Sequence, residues 1–261
     1  MKNRILIIGS GWLGASLASH LDKQGYDVKA TTRQPTIAPQ RLQINTDNDR
    51  DTIAKITDFA PQVMIIAISP NKNSDYLQAL MILSKAAKAA NVSRVVFIGS
   101  SSIWGNSMGL VNETTAIDPA NDSAKAMAAF ETHLQQQSTF EATTLRLCGL
   151  FNQQRHPGRF LAGREDVPNP NAVVNMIHQQ DCVGLITNIL RQASWQSVYI
   201  GCAPSHPTRI QFYTHGARLL NLMPPRFKGN EGHDSKKIDG KQSANALDYR
   251  YRYSDLMTAL E

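Results

Sequence analysis

The hexapeptide GSGWLG places Gly9, Gly11 and Gly14 at the spacing of a phosphate-binding turn. Gly9 permits the tight turn, Gly11 lets the backbone approach a pyrophosphate, and Gly14 lets the next helix pack closely on the preceding strand. The helix that opens at Trp12 and Leu13 then points unpaired N–H groups and a positive dipole end at the phosphates. Such a motif alone is a weak signal. Here it follows the apolar run RILII directly and opens WLGASLASHLDKQG, whose Leu13, Leu17 and Leu21 share one helix face, and that context makes it specific. About 20 residues further on, an NAD site needs an acid to hold the ribose 2′-hydroxyl. This chain offers ATTRQ, with Thr32 and Arg33 and no acid. An arginine there pairs with a 2′-phosphate that a carboxylate would repel. The pattern favours NADP as cofactor, with NAD as the alternative. Ser69, at the end of a later apolar run, joins the same candidate set.

A second group could handle protons or anions. DPANDSAKAMAAFE reads as a small-residue helix with an apolar seam at Met127, Phe130 and Leu134 and one lysine, Lys125. Four residues before the lysine stands Asn121, which neither gives up nor takes on a proton near neutral pH. Ser100, Ser102 and Trp104 lie in the turn SSSIWG. In QQRHPGRF, Arg155 and Arg159 flank His156; the pair either clamps an anion or covers the surface beside acids such as Glu165 and Asp166. His178 precedes Asp181 at a helix start, and as imidazoles His156 and His178 are candidates for proton transfer. Cys148, Cys202 and Cys182 lack metal-ligand spacing and read as small core residues.

The elements that must position these residues have a clear rhythm. Continuous apolar runs at 4–9, 63–69 and 94–100 are strands buried on both faces of a parallel sheet. Further strands are expected at 26–33, 142–149 and 196–202, with helices at 12–25, 76–91 and 121–137. Strand and helix in alternation mean an α/β, Rossmann-type doubly wound sheet. The rhythm weakens after residue 150. We expect one unit over 1–261, with a core of 1–149 and 172–202 and a small substrate lobe of 150–171 and 203–261; residues 150–171 read as a long functional loop.

With GSGWLG, IGSSSIWG and NDSAK in view, the chain resembles the extended short-chain dehydrogenase/reductases, the superfamily of nucleotide-sugar epimerases and dehydratases. RHPGRFLAG, CAPSHPTR and KKIDGK resemble an atypical bacterial group within it. The resemblance implies that Ser100 matches the catalytic serine with Ser102 beside it. It implies that Lys125 matches the lysine that binds the nicotinamide ribose, and that Asn121 falls where the catalytic tyrosine stands, on the same helix face. Trp104 takes the place of a second tyrosine. Losing a positioned acid typically costs about 10²- to 10⁴-fold in rate, so the resemblance leaves proton transfer without its usual residue.

Hydrophobic residues make up 42% of the chain and charged residues 18%, with a net charge of +6. That composition builds a globular core. No apolar run reaches the ~18 residues of a membrane span, and no basic cluster has the form of a nucleic-acid footprint. The expected partner is a small, anionic molecule, and the expected setting is a reducing cytoplasm, with the chain as monomer or homodimer. Two functional readings stand. One is an NADP(H)-binding oxidoreductase or epimerase-like protein with an altered acid/base. The other is a catalytically silent NADP(H)-binding sensor. The first is preferred, because a ribose anchor beside charged walls implies a ligand beyond the cofactor.

Overall fold

A computed structural model describes residues 3–34, 37–70, 75–105, 107–192, 195–229 and 235–261. The first part of the chain alternates strand and helix except that β3 follows β2 directly: β1 Arg4–Ile8, α1 Trp12–Lys23, β2 Asp27–Thr32, β3 Arg41–Gln43, α2 Asp49–Phe59, β4 Val63–Ile66, α3 Tyr76–Ala89 and β5 Arg94–Ser100. Then follow β6 Gly109–Val111, α4 Asp122–Gln135, β7 Glu141–Leu147, β8 Gly149–Phe151, β9 Met176–His178, α5 Gln179–Arg191, β10 Val198–Gly201, α6 Arg209–Leu219, β11 Lys236–Ile238 and α7 Lys241–Ala246.

Seven strands form one sheet in the order β10-β7-β5-β4-β1-β2-β3. The β1–β2, β1–β4, β2–β3 and β4–β5 pairs are parallel. The order reverses between β1 and β4, the switch point at which doubly wound sheets bind ligands beyond their strand ends. Ile5 to Ile8, Met64 to Ile66 and Val95 to Phe97 are all essentially buried, as a parallel sheet covered on both faces requires.

By its internal contacts the chain divides into two compact units. The first is Met1–Ile103, Pro119–Arg146 and Leu190–Val198. In it α3 packs against both α2 and α4. Asn48 and Asp75 cap α2 and α3 by accepting hydrogen bonds from Asp51 N and Gln78 N. The Phe97 ring meets Phe130 edge to face at 5.0 Å. Beside them Arg146 reaches Glu131 at 2.7 Å with both side chains buried. Gly99 makes room for this pair, since a Cβ there would stand 3.1 Å from Glu131 Oε1.

The second unit is Trp104–Asp118, Leu147–Ile189 and Tyr199–Glu261. It holds two short parallel pairs, β6 with β11 and β8 with β9, around a core of Phe151, Met176, Phe212, Leu256 and Leu260. The fully buried Asp181 organises it: its carboxylate accepts from the Tyr249 hydroxyl at 2.7 Å and from Arg252 N and Tyr253 N at 2.8 and 3.1 Å.

The helix expected over 121–137 covers Asp122–Gln135. The 150–171 stretch, expected as a long loop, is irregular beyond β8 apart from a short turn at Pro157–Arg159. It is pinned by hydrogen bonds: Gly163 N donates to Met223 O at 2.8 Å, Val167 N to Arg226 O at 2.9 Å, and Val167 bridges to Phe227.

Candidate functional site

The glycine turn is built from conflicts that only glycine avoids. Gly9 has φ +103°, and a Cβ on it would stand 2.8 Å from Ala67 O. A Cβ on Gly14 would stand 1.9 Å from Gly9 O, so the first turn of α1 lies directly on the loop. A Cβ on Gly11, by contrast, meets nothing within 4 Å; that side of the turn is open. The turn is anchored to β2, with Gly9 N donating to Thr31 Oγ1 at 2.8 Å and Ser10 N to Thr31 O at 3.0 Å.

In front of this turn is a cavity of about 690 Å³. It brings together five of the expected cofactor residues: Gly9, Gly11, Thr32, Arg33 and Ser69. Leu13 and Gly14 serve it from behind, buried in α1, and Trp12 is the first residue of that helix. Sequence reasoning missed Ile44 and Thr46, which follow the three-residue β3, and Tyr76, whose hydroxyl donates to Ile68 O at 3.2 Å. Burial raises the Tyr76 pKa, so this phenol stays protonated as a donor. None of the described residues lining the cavity is an acid. Arg33 is exposed at the rim, its carbonyl held by Gln43 Nε2 at 3.4 Å. A second arginine, Arg41, donates from Nη1 to Ser10 Oγ at 2.7 Å.

The expected catalytic group lies in the turn after β5 and at the start of α4. Ser100 Oγ accepts from Ser102 N at 3.1 Å, which closes the turn after β5. Asn121 accepts through its carbonyl from Lys125 N at 2.9 Å, one turn along the chain. It lies just outside α4 as its N-cap, with φ −136° and ψ 166°, and its Oδ1 accepts from Ala124 N at 2.9 Å. Lys125 is largely exposed, with Asp122 Oδ1 at 4.0 Å. Ser100, Ser102, Asn121 and Lys125 are not among the cavity's lining residues.

Three of the expected substrate contacts, Trp104, His156 and His178, are buried in the second unit. Trp104 is fully buried, with Nε1 donating to Thr115 O at 3.2 Å, and it fills core. His156 is buried and uses both ring nitrogens. Nδ1 accepts from Gly158 N at 3.0 Å, so Nε2 carries the proton shared with Leu260 O at 2.9 Å. Gly158 touches Gly216 of α6 so closely that a Cβ would stand 2.1 Å from Gly216 O. His178 is buried with Nδ1 accepting from Gln180 N at 3.2 Å, its ring tilted by 32° against that of Tyr253 at 3.7 Å. Burial lowers its pKa; Asp181 opposes that and Arg252 adds to it. All three side chains have hydrogen-bond partners inside the second unit. Arg155 and Arg159 are exposed on either side of the pinned turn. Glu165, one expected partner, is 3.6 Å from Arg226 instead.

With this geometry in hand, kinship is informative. The sequence profile of the NAD dependent epimerase/dehydratase family matches residues 5–164. The chain belongs to that family. It is also 34% identical to Protein YeeZ of Escherichia coli strain K12 over an alignment of 266 positions, covering 97% of both chains. Among solved structures it resembles MoeE5 in complex with UDP-glucuronic acid and NAD, at a TM-score of 0.82 and 18% identity, covering 99% of this chain and 96% of that one. It resembles UDP-N-acetylglucosamine 4-epimerase from Bacillus cereus at a TM-score of 0.81 and 16% identity, covering 100% and 97%. At those identities the two structures speak for the fold alone. Family membership makes a nicotinamide dinucleotide the cofactor class, and the glycine cradle with its open face at Gly11 fits the pyrophosphate of such a molecule.

Proposed function

We propose that this protein binds NADP(H) and acts as an oxidoreductase or nucleotide-sugar epimerase-like protein with an altered proton-transfer site. The observation that carries the cofactor choice is the rim of the cavity, which ends on Arg33 without a carboxylate. The backbone around Gly9 and Gly11 and the N-terminus of α1 hold the pyrophosphate. Arg33 pairs with the 2′-phosphate. Thr32 and Ser69 give hydroxyls to the walls. Lys125 orients the nicotinamide ribose, and the Ser100–Ser102 turn offers a hydroxyl to the substrate. When bound, the cofactor supplies hydride transfer. Asn121 cannot supply the accompanying proton, since an amide does not titrate and its oxygen already accepts from Ala124 N.

The ligand beyond the cofactor is a small anion-bearing molecule. Arg155 and Arg159 are exposed, and their planar guanidinium groups suit phosphate or carboxylate. Retained anion binding in Arg159→Ala would remove that assignment.

Calorimetric titration with NADPH and NADH tests the cofactor reading. NADPH binds more tightly, and Arg33→Ala narrows the difference; equal affinities in the unaltered protein would overturn it. Absorbance at 340 nm with a panel of UDP-sugars then tests turnover. The cap at Asn121 favours a second reading, a cofactor-binding sensor without chemistry, and tight NADPH binding with no hydride exchange across the panel would select it.

A further inference from the structure

We infer that Arg41, on β3, is a second selector for the 2′-phosphate, held in position by Ser10; this rests on the NADP(H) reading above. Arg41 pairs in register with Ala30 of β2, while Arg33 lies just past the end of that strand. From opposite ends of this short segment, two guanidinium groups serve one rim. Arg33 lines the cavity, and Arg41 donates to Ser10, which lines it too. The Ser10 contact uses one of the five N–H donors of a guanidinium, which leaves four for an anion. Ser10 is a neutral acceptor, so the positive charge of Arg41 is not cancelled. Among the described residues neither Arg41 nor Arg33 makes an ion pair with a carboxylate. Ser10 is itself fixed to β2 through its backbone N–H and Thr31 O. The tether therefore places Arg41 relative to the same turn that receives the pyrophosphate, and it preorganises the cation before any ligand arrives.

The test is calorimetry on the intact chain and on Arg41→Ala, Arg41→Lys and Ser10→Ala, each with NADPH, NADH, 2′,5′-ADP and 5′-AMP. Loss of a charge-assisted hydrogen bond to phosphate weakens binding by about tenfold to a hundredfold. That loss is expected in Arg41→Ala for NADPH and 2′,5′-ADP, with NADH and 5′-AMP changed by less than about threefold. Arg41→Lys recovers part of it, and Ser10→Ala shows a smaller loss of the same selectivity. An equal loss for all four ligands would mean that Arg41 only braces the loop and would overturn the inference. If the unaltered protein prefers NADPH and Arg41→Ala keeps that preference, the Arg41 assignment alone fails. If the unaltered protein shows no preference, the NADP(H) reading fails and the inference falls with it.

Discussion

Gly11 and Gly14 stand three residues apart in one motif, yet substituting each with alanine should damage a different property. At Gly14 the new Cβ would lie 1.9 Å from Gly9 O, a backbone atom. Real Cβ contacts begin near 3.0 Å, so α1 and the loop must separate by about 1 Å. The loop cannot yield easily. Gly9 is fixed at φ +103° with its N–H on Thr31 Oγ1, and Ala67 O is already close behind it. Opening that contact costs about 1–3 kcal/mol or more as overpacking. Against this, replacing glycine by alanine inside a helix gains about 1 kcal/mol. The clash wins, because Leu13, Leu17 and Leu21 leave the core if α1 moves. We expect Gly14→Ala to lower the urea midpoint by the equivalent of about 1–2 kcal/mol and to weaken cofactor binding as well.

At Gly11 the Cβ meets nothing, and φ is −71°, which any residue adopts. Only its N-cap role is at stake, at a cost below about 1 kcal/mol. The added methyl stands on the open face where the pyrophosphate approaches. Gly11→Ala should therefore keep most of its stability and lose cofactor affinity by at least about tenfold. Urea denaturation and calorimetry on both variants read the two effects separately. A Gly14→Ala protein as stable as the parent, or a Gly11→Ala protein that binds NADPH unchanged, would refute the reasoning from Cβ geometry.

Three further outcomes follow from buried or capping groups. Asn121→Ala removes the α4 cap and costs about 1 kcal/mol, whereas Asn121→Asp keeps an acceptor and stays within a few tenths of the parent, both read by thermal melting. Glu131→Gln leaves the Arg146 guanidinium buried without its carboxylate and should destabilise by about 3–5 kcal/mol in urea denaturation. Burial lowers the His178 pKa below its ordinary 6.5, so the folded state binds fewer protons than the unfolded one; stability is full above that value and falls as the pH drops through it towards the folded pKa, and His178→Gln should flatten that fall in melts from pH 7.5 down to pH 5 (about the range in which imidazole titrates).

Much of this was legible in the sequence. The strands β1, β4 and β5 announce themselves because a parallel sheet buried on both faces demands unbroken apolar runs, and GSGWLG declares its role because both neighbours are recognisable. β3 was not legible: three residues, Arg41 to Gln43, carry no periodicity, and their pairing with β2 is a tertiary event. That omission hid Arg41 and the Ile44 and Thr46 walls. α2 left a usable signal, with Asn48 as a cap and Thr52, Ile56 and Phe59 on one buried face. The surroundings of His156 and His178 were not legible because a histidine's partners can be remote in the chain. For His156 one of them is Leu260, 104 residues away.

The fate of Asn121 joins the two levels. At the sequence level it is a missing acid, counted at a fixed distance from Lys125. In the fold it marks where α4 starts: asparagine is among the best residues for an N-cap, and its side-chain oxygen satisfies an N–H that would otherwise be orphaned. A tyrosine at this position would not make that cap bond, because its hydroxyl lies a ring's length from the backbone. If position 121 is that of the usual tyrosine, as we propose, the start of α4 and proton transfer are competing demands on one residue, and asparagine serves the first. Asn121→Tyr should accordingly lose about 1 kcal/mol in a thermal melt. Such a variant gaining hydride exchange with a sugar nucleotide would show that Lys125 and the serine turn are already arranged for chemistry. A variant that loses the cap without gaining activity would favour the sensor reading.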